Sequence, residues 1–576
     1  MESVQTTVLV AGGGPAGLAA AAELSLHGIG CVVIEPRAAV SHRRPRAKTT
    51  SIRTMEHLRR WGIAGQLRLA APLAVGWSQR VTFCESLAGR RITDFDGAFG
   101  LTTRRSELFA ESGQQVPQPV VEDVLRTHLA ARPGVDLRLG WAVTGLEQDA
   151  GVVRVQVRDP DGAGQVVTAR WVLGCDGAGG VVRDQIGARY VGRSDPRPNF
   201  NVVFRAPGLD TDLGPAVQYW VVGGRTTGLV GRLDLAGTWW AIMPGIEAEY
   251  GSAHVGELIT DLLGGPAALS AGPAGSAGLA EPAGRAGPAG PAGRAGRAGP
   301  AGRAGPAGLE VLATDPWTAR LLVADSFGCG RVFLVGEAAH VNPPWGGHGF
   351  NTSVGDAVNI AWKIAAVEQG WASPGLLATY EQERRGVVEQ TVACAEANMQ
   401  AMAGDLPADE AVIQRAKRAE FHSLGLVLGY SYAGSAAIQP GAEGPFVIAD
   451  TTTYTPSAEP GARLPHAWLA DGRSLYDQLG PGFTLVGPPG RDGPLIVEAG
   501  KRGIPLTVVE APAGYPWRDE FLLVRPDQHI SWRTKDLASI DLDLVTGHFP
   551  TIATDLARVA PSFCREKDDC RQRNPC

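Results

Sequence analysis

Hydrophobic positions along this chain fall into patterns that predict its elements. Residues 6–11 read as a buried strand, two β-branched threonines followed by the apolar run 8–11. An Ala- and Leu-rich helical stretch follows to about His27, and a second apolar run at 31–34 ends at Glu35. Strand, helix, strand in that order predicts a parallel α/β unit. From 135 to 169 the chain predicts a β-meander, with runs at 143–148, 152–157 and 165–169. Asp159-Pro160-Asp161-Gly162 supplies the turn between the last two. Residues 73–101 and 199–245 read as strands with many aromatics, 255–263 as a helix and 309–313 as a strand. An apolar strand at 332–335 stops at Gly336. A Pro-Pro turn and a glycine-rich loop then open an amphipathic helix that runs to about Gly370. Residues 374–401 predict a long helix, and strands alternate with helices again between 460 and 533.

At 576 residues the chain exceeds one hydrophobic core, so two or three domains are expected. Hydrophobic residues at 44% and charged residues at 19% describe a globular protein, and a net charge of −6 gives no reason to expect nucleic acid. No apolar run reaches the ~18 residues of a membrane span. Residues 8–22 carry too many glycines, and no basic flank, for a signal peptide. Eight scattered cysteines form no secreted framework, so a cytoplasmic location is expected. Neither they nor the 11 histidines have metal-ligand spacing, so no metal is expected, and His340 and His348 read as loop-forming residues. Glycine falls at every third position from Gly284 to Gly308, inside a low-complexity stretch at 264–308. So few triplets within a folded domain do not suit a triple helix, and a disordered surface insertion is expected. The tail with Cys564, Cys570 and Cys576 reads as flexible. Gly429-x-Ser431-x-Ala433 lacks the final glycine and the strand–turn–helix setting of a nucleophile elbow.

Two stretches carry the chemistry. Gly12-x-Gly14-x-x-Gly17, with Ala16 inside it, lies between the first strand and helix. Its glycines allow a tight turn and close approach of a pyrophosphate, and Glu35 at the end of the next strand suits a ribose diol. This dinucleotide fingerprint does not by itself separate FAD from NAD. The second stretch runs Gly336-Glu337-Ala338-Ala339-His340, then Pro343-Pro344-Trp345-Gly346-Gly347-His348-Gly349-Phe350-Asn351, then Asp356, Asn359, Trp362 and Lys363. It puts a carboxylate directly after a strand and a helix N-terminus where an anion or polarised carbonyl can sit.

That second stretch resembles the second flavin-binding motif of the single-component FAD-dependent aromatic hydroxylases, the para-hydroxybenzoate hydroxylase type. Glu337 stands where Asp is usual. Arg44-Pro45-Arg46-Ala47, followed by Arg53-Thr54-x-Glu56-x-Leu58-Arg59, is similar to a family segment whose arginine, Arg46 here, lies near the flavin and pyrophosphate. Gln118, with Glu122 and Leu125, resembles a helix start whose glutamine contacts the flavin. Cys175-Asp176-Gly177, with Val182-Arg183, resembles a motif associated with FAD and NAD(P)H binding. There Gly180 replaces the usual Ser, which should remove a hydroxyl contact and loosen the turn. Tyr380 to Arg384 resembles a helix that packs on the FAD domain. Residues 460–466 and 523–533 resemble the thioredoxin-like C-terminal domain of the larger phenol and polyketide hydroxylases. It has no C-x-x-C, so redox work is not expected there.

The resemblance implies an α/β fold in which a Rossmann-like FAD-binding domain (1–72, 102–190, 314–402) is interrupted by a β-sheet substrate domain (73–101, 191–313). A helical connection (403–457), a thioredoxin-like domain (458–560) and a tail (561–576) follow. It implies bound FAD, transient NADPH or NADH, and O2. The implied reaction is hydroxylation of a phenolic, polycyclic, polyketide-type aromatic through a flavin C4a-hydroperoxide. FAD would be held by Gly12, Gly14, Ala16, Gly17, Glu35, Arg46, Gln118, Asp176, Gly177, Arg183, Gly336, Glu337, Gly349, Phe350 and Asn351. Pro344, Gly346 and Gly347 would shape the reacting centre, the glycines leaving space beside the flavin. Trp77, Tyr219, Trp220 and Trp239 would face the substrate. The expected partner is a small aromatic molecule, with a homodimer left open. A Baeyer–Villiger oxygenase on the same scaffold is the alternative. A flavin halogenase is disfavoured, because Trp239 and Trp240 are adjacent where the halogenase W-x-W-x-I-P separates its tryptophans. A non-catalytic flavoprotein would be marked by FAD that NADPH never reduces.

Overall fold

The structure is a computed structural model that describes residues 4–43, 47–266, 308–403, 406–441, 448, 450–490 and 493–549. Arg46, most of the glycine-rich insertion and the cysteine tail lie outside the described residues.

The two fingerprint strands, Val4–Ala11 and Cys31–Glu35, pair in parallel at the centre of an eight-stranded sheet. Val4–Ala11 also pairs in parallel with Gly164–Gly174, which pairs in parallel with Val332–Leu334. The register sets Ala11 beside Gly174 and Ile34, and Gly174 beside Leu334. Three motifs distant in sequence therefore leave the sheet at one edge, the carboxyl ends where α/β sheets bind ligands. Helix Pro15–Leu26 packs against helix His348–Glu368 on this sheet, and its run Ala19 to Ala22 is buried. Small side chains let the two helices approach closely. Around them, each fully buried Val, Leu or Ile contributes roughly 1.5–3 kcal/mol.

Residues 135–139, expected to open the meander, instead form the parallel edge strand Val135–Leu139 beside Cys31–Glu35. The meander itself is Ala142–Gln148, Val153–Arg158 and Gly164–Gly174, paired antiparallel. Its last strand is longer than expected because it continues into the buried parallel strand before Asp176.

A second eight-stranded sheet is built around Tyr190–Arg205 and Glu310–Ala324, which pair antiparallel along most of their length. Thr238–Pro244, Gly228–Arg232, Gln218–Val221, Val81–Cys84 and Arg91–Phe95 extend it in that order. Helix Ala248–Leu263 begins earlier than the sequence pattern indicates. Helix Glu410–Phe421, within the expected helical connection, buries Ile413 and Phe421 against this sheet.

The third sheet orders Leu506–Glu510, Phe483–Gly487, Phe521–Val524 and Ile530–Thr534, with the first pair parallel and the others antiparallel. This is the thioredoxin-like arrangement expected at the C-terminus. Trp362 and Trp371 stack, and Phe483 sits edge-on to both, where this sheet meets helix His348–Glu368. No described helix is long and apolar enough to cross a membrane.

Candidate active site

The strand ends of the first sheet and one face of the second enclose a cavity of about 1210 Å³. A single small-ligand pocket measures ~300–1,000 Å³, so this one has room for more than one small molecule.

At one end, Gly12 has φ +106°, and a Cβ there would lie 2.3 Å from the Cys175 carbonyl oxygen. Only glycine lets the first loop pass so close to the neighbouring strand. A Cβ on Gly17 would lie 1.9 Å from the Gly12 carbonyl oxygen, so Gly17 serves helix–loop packing and does not line the cavity. Gly14 differs: a Cβ there meets nothing within 4 Å, and the residue lines the cavity as N-cap of Pro15–Leu26. It forms a cradle open to a ligand at a helix N-terminus, with Ala16 beside it. Glu35 Oε2 accepts from Gly13 N at 2.7 Å, and Oε1 accepts from Arg37 N at 2.9 Å and Arg37 Nε at 2.7 Å. Arg37 also pairs with Glu122 at 3.2 Å, and Gln118 Nε2 donates to Glu122 Oε1 at 2.8 Å. All four line the cavity. Arg37 and Glu122 were not named as site residues, because their meeting depends on a helix some 80 positions away in sequence.

Across the cavity, Asp176 Oδ2 accepts from Val182 N at 3.0 Å, while Oδ1 is buried without a partner. Burial pushes its pKa up. An orphaned acceptor in a cavity wall calls for a donor from a ligand, such as a hydroxyl. A Cβ on Gly180 would lie 2.0 Å from Asp176 Cγ. The usual serine would force that carboxylate to move, so Gly180 fills the turn with Asp176 instead of loosening it. Gly177 lines the cavity beside it. Arg183 does not: it donates to the Ala178 carbonyl at 3.2 Å and stacks 3.9 Å from the Tyr190 ring centre. Tyr190 in turn donates to the Glu337 carbonyl, so Arg183 ties the two loops together.

Glu337 sits in the short turn Gly336–Ala338, exposed and lining the cavity. Gly336 has φ +64°, and a Cβ there would lie 2.9 Å from Ser353 Cβ, so it is a packing position behind the wall. Buried Asp356 fixes this turn. Its Oδ2 accepts from His340 Nε2 at 2.7 Å and Gly336 N at 3.3 Å, and its Oδ1 accepts from Arg384 Nε at 2.7 Å. Burial raises the Asp356 pKa, but Arg384 and His340 together hold it below the usual carboxylate range. Asn351 spends its polar atoms on protein: Oδ1 accepts from Ser51 N at 2.9 Å and Thr54 Oγ1 at 2.8 Å, and Nδ2 donates to the Gly347 carbonyl at 2.7 Å. It shapes the glycine-rich loop from behind.

Pro344, Gly346, Gly347, Gly349 and Phe350 line the cavity at the start of helix His348–Glu368, so the positive end of that helix dipole abuts it. Gly346 and Gly347 have φ +91° and +71°, and a Cβ on each would lie 2.4 Å from His348 Nε2 and 2.7 Å from Thr49 Oγ1. They are glycines for backbone conformation and these neighbours, not, as expected, to leave space in the cavity. Burial lowers the His348 pKa to about 4 and leaves its Nε2 without a partner, so the ring is neutral near pH 7.

The remaining wall is the second sheet, where strand alternation decides which aromatics face inward. Trp240 lines the cavity, while Trp239 and Tyr219 pack into the core on the opposite side with Phe200 and Phe204. Tyr219 donates its hydroxyl to the Gly214 carbonyl at 2.6 Å. Trp220 is on the cavity's side but covered, with ring centroids of Phe83 at 5.2 Å and Phe421 at 5.9 Å. Trp77 does not reach the lining. Trp77, Tyr219, Trp220 and Trp239, expected to face the substrate, are thus absent from the lining, whose tryptophans are Trp240, Trp317 and Trp345. Adjacent Trp239 and Trp240 carry no sequence signal for which faces in. Trp317 Nε1 donates to Asn201 Oδ1 at 2.8 Å, and both residues line the cavity.

The chain matches the FAD binding domain family over residues 5–249 and 303–395, and the aromatic-ring hydroxylase C-terminal family over 457–548. It is 30% identical over 605 residues to 2,4-dichlorophenol 6-monooxygenase of Delftia acidovorans, covering 92% of this chain and 95% of the relative. To tetracenomycin B2 monooxygenase-dioxygenase of Streptomyces olivaceus it is 28% identical over 586 residues, covering 93% of this chain and 96% of the relative. Among solved structures, it aligns with a ternary complex of aklavinone-11 hydroxylase with FAD and aklavinone. The TM-score is 0.76 at 25% identity, covering 95% of this chain and 100% of that one.

Proposed function

The chain belongs to the FAD-dependent aromatic-ring hydroxylases, and from that premise we propose that its substrate is a polycyclic, polyketide-type phenol hydroxylated at a ring carbon. FAD fits the residues present: the open cradle at Gly14, the orphaned Asp176 oxygen and the unshared Glu337 carboxylate all face one cavity. Gly12, Gly14 and the first helix N-terminus would hold the pyrophosphate. Glu35 would hold the ribose, Asp176 and Glu337 ribityl hydroxyls, and the start of His348–Glu368 a ring carbonyl. Bound there, FAD supplies hydride acceptance from NAD(P)H and activation of O2, which no side chain offers.

The observation that supports the substrate class is the indole wall of Trp240, Trp317 and Trp345 beside the Pro344–Gly347 loop. The Trp317 and Trp345 ring centroids lie 6.2 Å apart. The two rings are tilted by 43°, and apolar indoles lining one side suit contact with a fused-ring system and exclude water from it. Asn201, oriented by Trp317, offers a polar group at the same wall. A relative named for a single-ring phenol supports the phenolic part of the reading, and a neighbour holding aklavinone together with FAD supports the larger ring system. A cytoplasmic location, where NAD(P)H is renewed, belongs to this reading. The test is a panel of single-ring and polycyclic phenols offered to the purified protein with NADPH. Polycyclic phenols are expected to accelerate NADPH oxidation most; acceleration by single-ring phenols alone would overturn the polycyclic part of the reading.

A further inference from the structure

The cavity holds a cation that the flavin-binding motifs do not use. Lys48 is fixed at its backbone: its carbonyl accepts from Val116 N at 2.9 Å, and that of Ala47 accepts from Gln118 N at 2.9 Å. Its partly buried side chain lines the cavity and sets Nζ 4.2 Å from the Trp240 ring centre. Among the described residues, Lys48 Nζ has no hydrogen bond or ion pair; it faces the ring. Other buried lysines differ. Lys363 donates to Thr379 and Glu383, and Lys417 to Asn398 and Glu420. An enclosed ammonium without a counter-ion is costly, and burial lowers the Lys48 pKa to about 8.

Among the described residues, no carboxylate pairs with it, and the Trp240 ring offsets only part of that cost. Glu35, Arg37 and Glu122 bond with one another at the nucleotide end, and Glu420 is taken by Lys417. Cys175, Asp176, Glu247, Asp315, Arg320 and Glu337 complete the ionisable groups of the lining; burial pushes the Cys175 thiol well up, so it stays neutral, and burial alone accounts for the lowered Lys48 pKa.

We propose that Lys48 is the catalytic residue that receives the substrate's phenolic hydroxyl beside Trp240 and takes its proton, holding the substrate as phenolate; this rests on the hydroxylase reading above. The phenol O–H bond breaks and an N–H bond forms on the neutral amine. An ammonium–phenolate pair results, and nothing is oxidised or reduced in the step. The phenolate supplies the counter-charge the cavity lacks, while the Trp240 face holds the ammonium. Phenolate formation raises electron density at the ortho and para carbons, where an electrophilic oxygen adds.

The test uses the holoenzyme with 2-naphthol and 4-nitrophenol, whose absorbance separates phenol from phenolate. Bound to the wild type, each probe is expected to ionise about one unit or more below its value in water. Lys48→Met should abolish the shift and move the kcat profile of the phenol that the protein turns over toward alkaline pH. Lys48→Arg keeps the charge but has no pKa near neutrality. It should restore the probe shift and the position of the profile by charge alone, while kcat stays below wild type across the range because it takes no proton. FAD absorbance equal to wild type in both variants verifies that they fold. Probes that do not bind the wild type, probes whose ionisation is unshifted, or an unchanged pH profile in Lys48→Met would overturn the assignment. If no aromatic drives oxygen incorporation in the wild type, the hydroxylase reading falls; if one does and Lys48→Met matches wild type, only Lys48 falls.

Discussion

Arg525 and Glu383 meet through two parallel hydrogen bonds, Nη1 to Oε1 at 2.7 Å and Nη2 to Oε2 at 2.8 Å, with both side chains buried. The pair joins the C-terminal sheet to the long helix Gly375–Ala403. Lys363 Nζ donates to Glu383 Oε2 at 2.7 Å, and Arg525 Nη2 to Asp527 Oδ2 at 2.6 Å. Burial raises the Glu383 pKa, but Arg525 and Lys363 hold it well below the usual carboxylate range. Glu383→Gln leaves two buried cations short of a counter-charge. It should cost ~3–5 kcal/mol, read as a lower denaturant midpoint. Unchanged midpoints in both Glu383→Gln and Arg525→Met would show that this cluster does not hold the C-terminal sheet in place.

The fingerprint glycines should separate into two kinds. Gly14→Ala adds a methyl group to the cavity and touches no protein atom within 4 Å. The apoprotein should keep its melting temperature while FAD affinity falls about tenfold or more, which is ~1.4 kcal/mol per factor of ten. Gly17→Ala meets the Gly12 carbonyl at 1.9 Å, so the apoprotein itself should lose stability. Glu35→Ala and Glu337→Ala should also lose FAD, while Glu337→Asp should keep it. Flavin absorbance after purification, followed by titration with FAD, gives the comparison. Full occupancy in Gly14→Ala would remove the pyrophosphate from this loop.

The two adjacent tryptophans should also respond differently. Trp239 is core, so Trp239→Ala should destabilise the protein by ~3–5 kcal/mol. Trp240 is buried in the core cluster on the other face, so Trp240→Ala should also cost stability, but it should keep FAD and raise KM for the aromatic substrate. Calorimetry and steady-state kinetics on both variants decide it. Equal KM in Trp240→Ala and wild type would take the indole wall out of substrate binding.

Acid should weaken the C-terminal packing through His529. This residue is buried, donates Nδ1–H to the Gly461 carbonyl at 2.8 Å, and has no partner at Nε2. Burial lowers its pKa to about 3. An unfolded histidine, with pKa ≈ 6.5, binds a proton where the folded one does not. Its contribution is therefore complete above ~6.5 and is lost as pH falls from there toward 3, at roughly 1.4 kcal/mol per unit. Burial also lowers the His57 and His466 pKa values, so His529→Gln should flatten the fall in melting temperature across that window without abolishing it. An identical slope in the variant would mean that His529 is not part of the acid response.

Sequence made the first sheet legible because its motifs are rules of backbone geometry. Gly12, Gly17 and Gly336 are dictated by positive φ or close contacts that no Cβ fits, so they mark loops before any tertiary information exists. The spacing of Asp356, Asn359 and Lys363 likewise sets one helix face, which meets Glu383 and Arg384 of the next helix. What stayed hidden depends on partners far along the chain. Val135–Leu139 became a parallel edge strand through pairing with Cys31–Glu35, which no local pattern encodes. Trp239 and Trp240 differ only in which face of the sheet they meet. Arg37 and Lys48 gain their settings from Glu122 and Trp240, each distant in sequence. Asn351 and Arg183 carry the motif but hold loops together, and only the geometry separates that role from lining the cavity.

The measurement that tests the central claim most directly is turnover under heavy-isotope oxygen gas, by the FAD-loaded protein with NADPH and the polycyclic phenol that most accelerates NADPH oxidation. The account predicts a product carrying one added oxygen atom, that atom from the gas, formed in step with NADPH consumed. An added oxygen that comes from water, or NADPH oxidised with no oxygenated product for any aromatic, would contradict it.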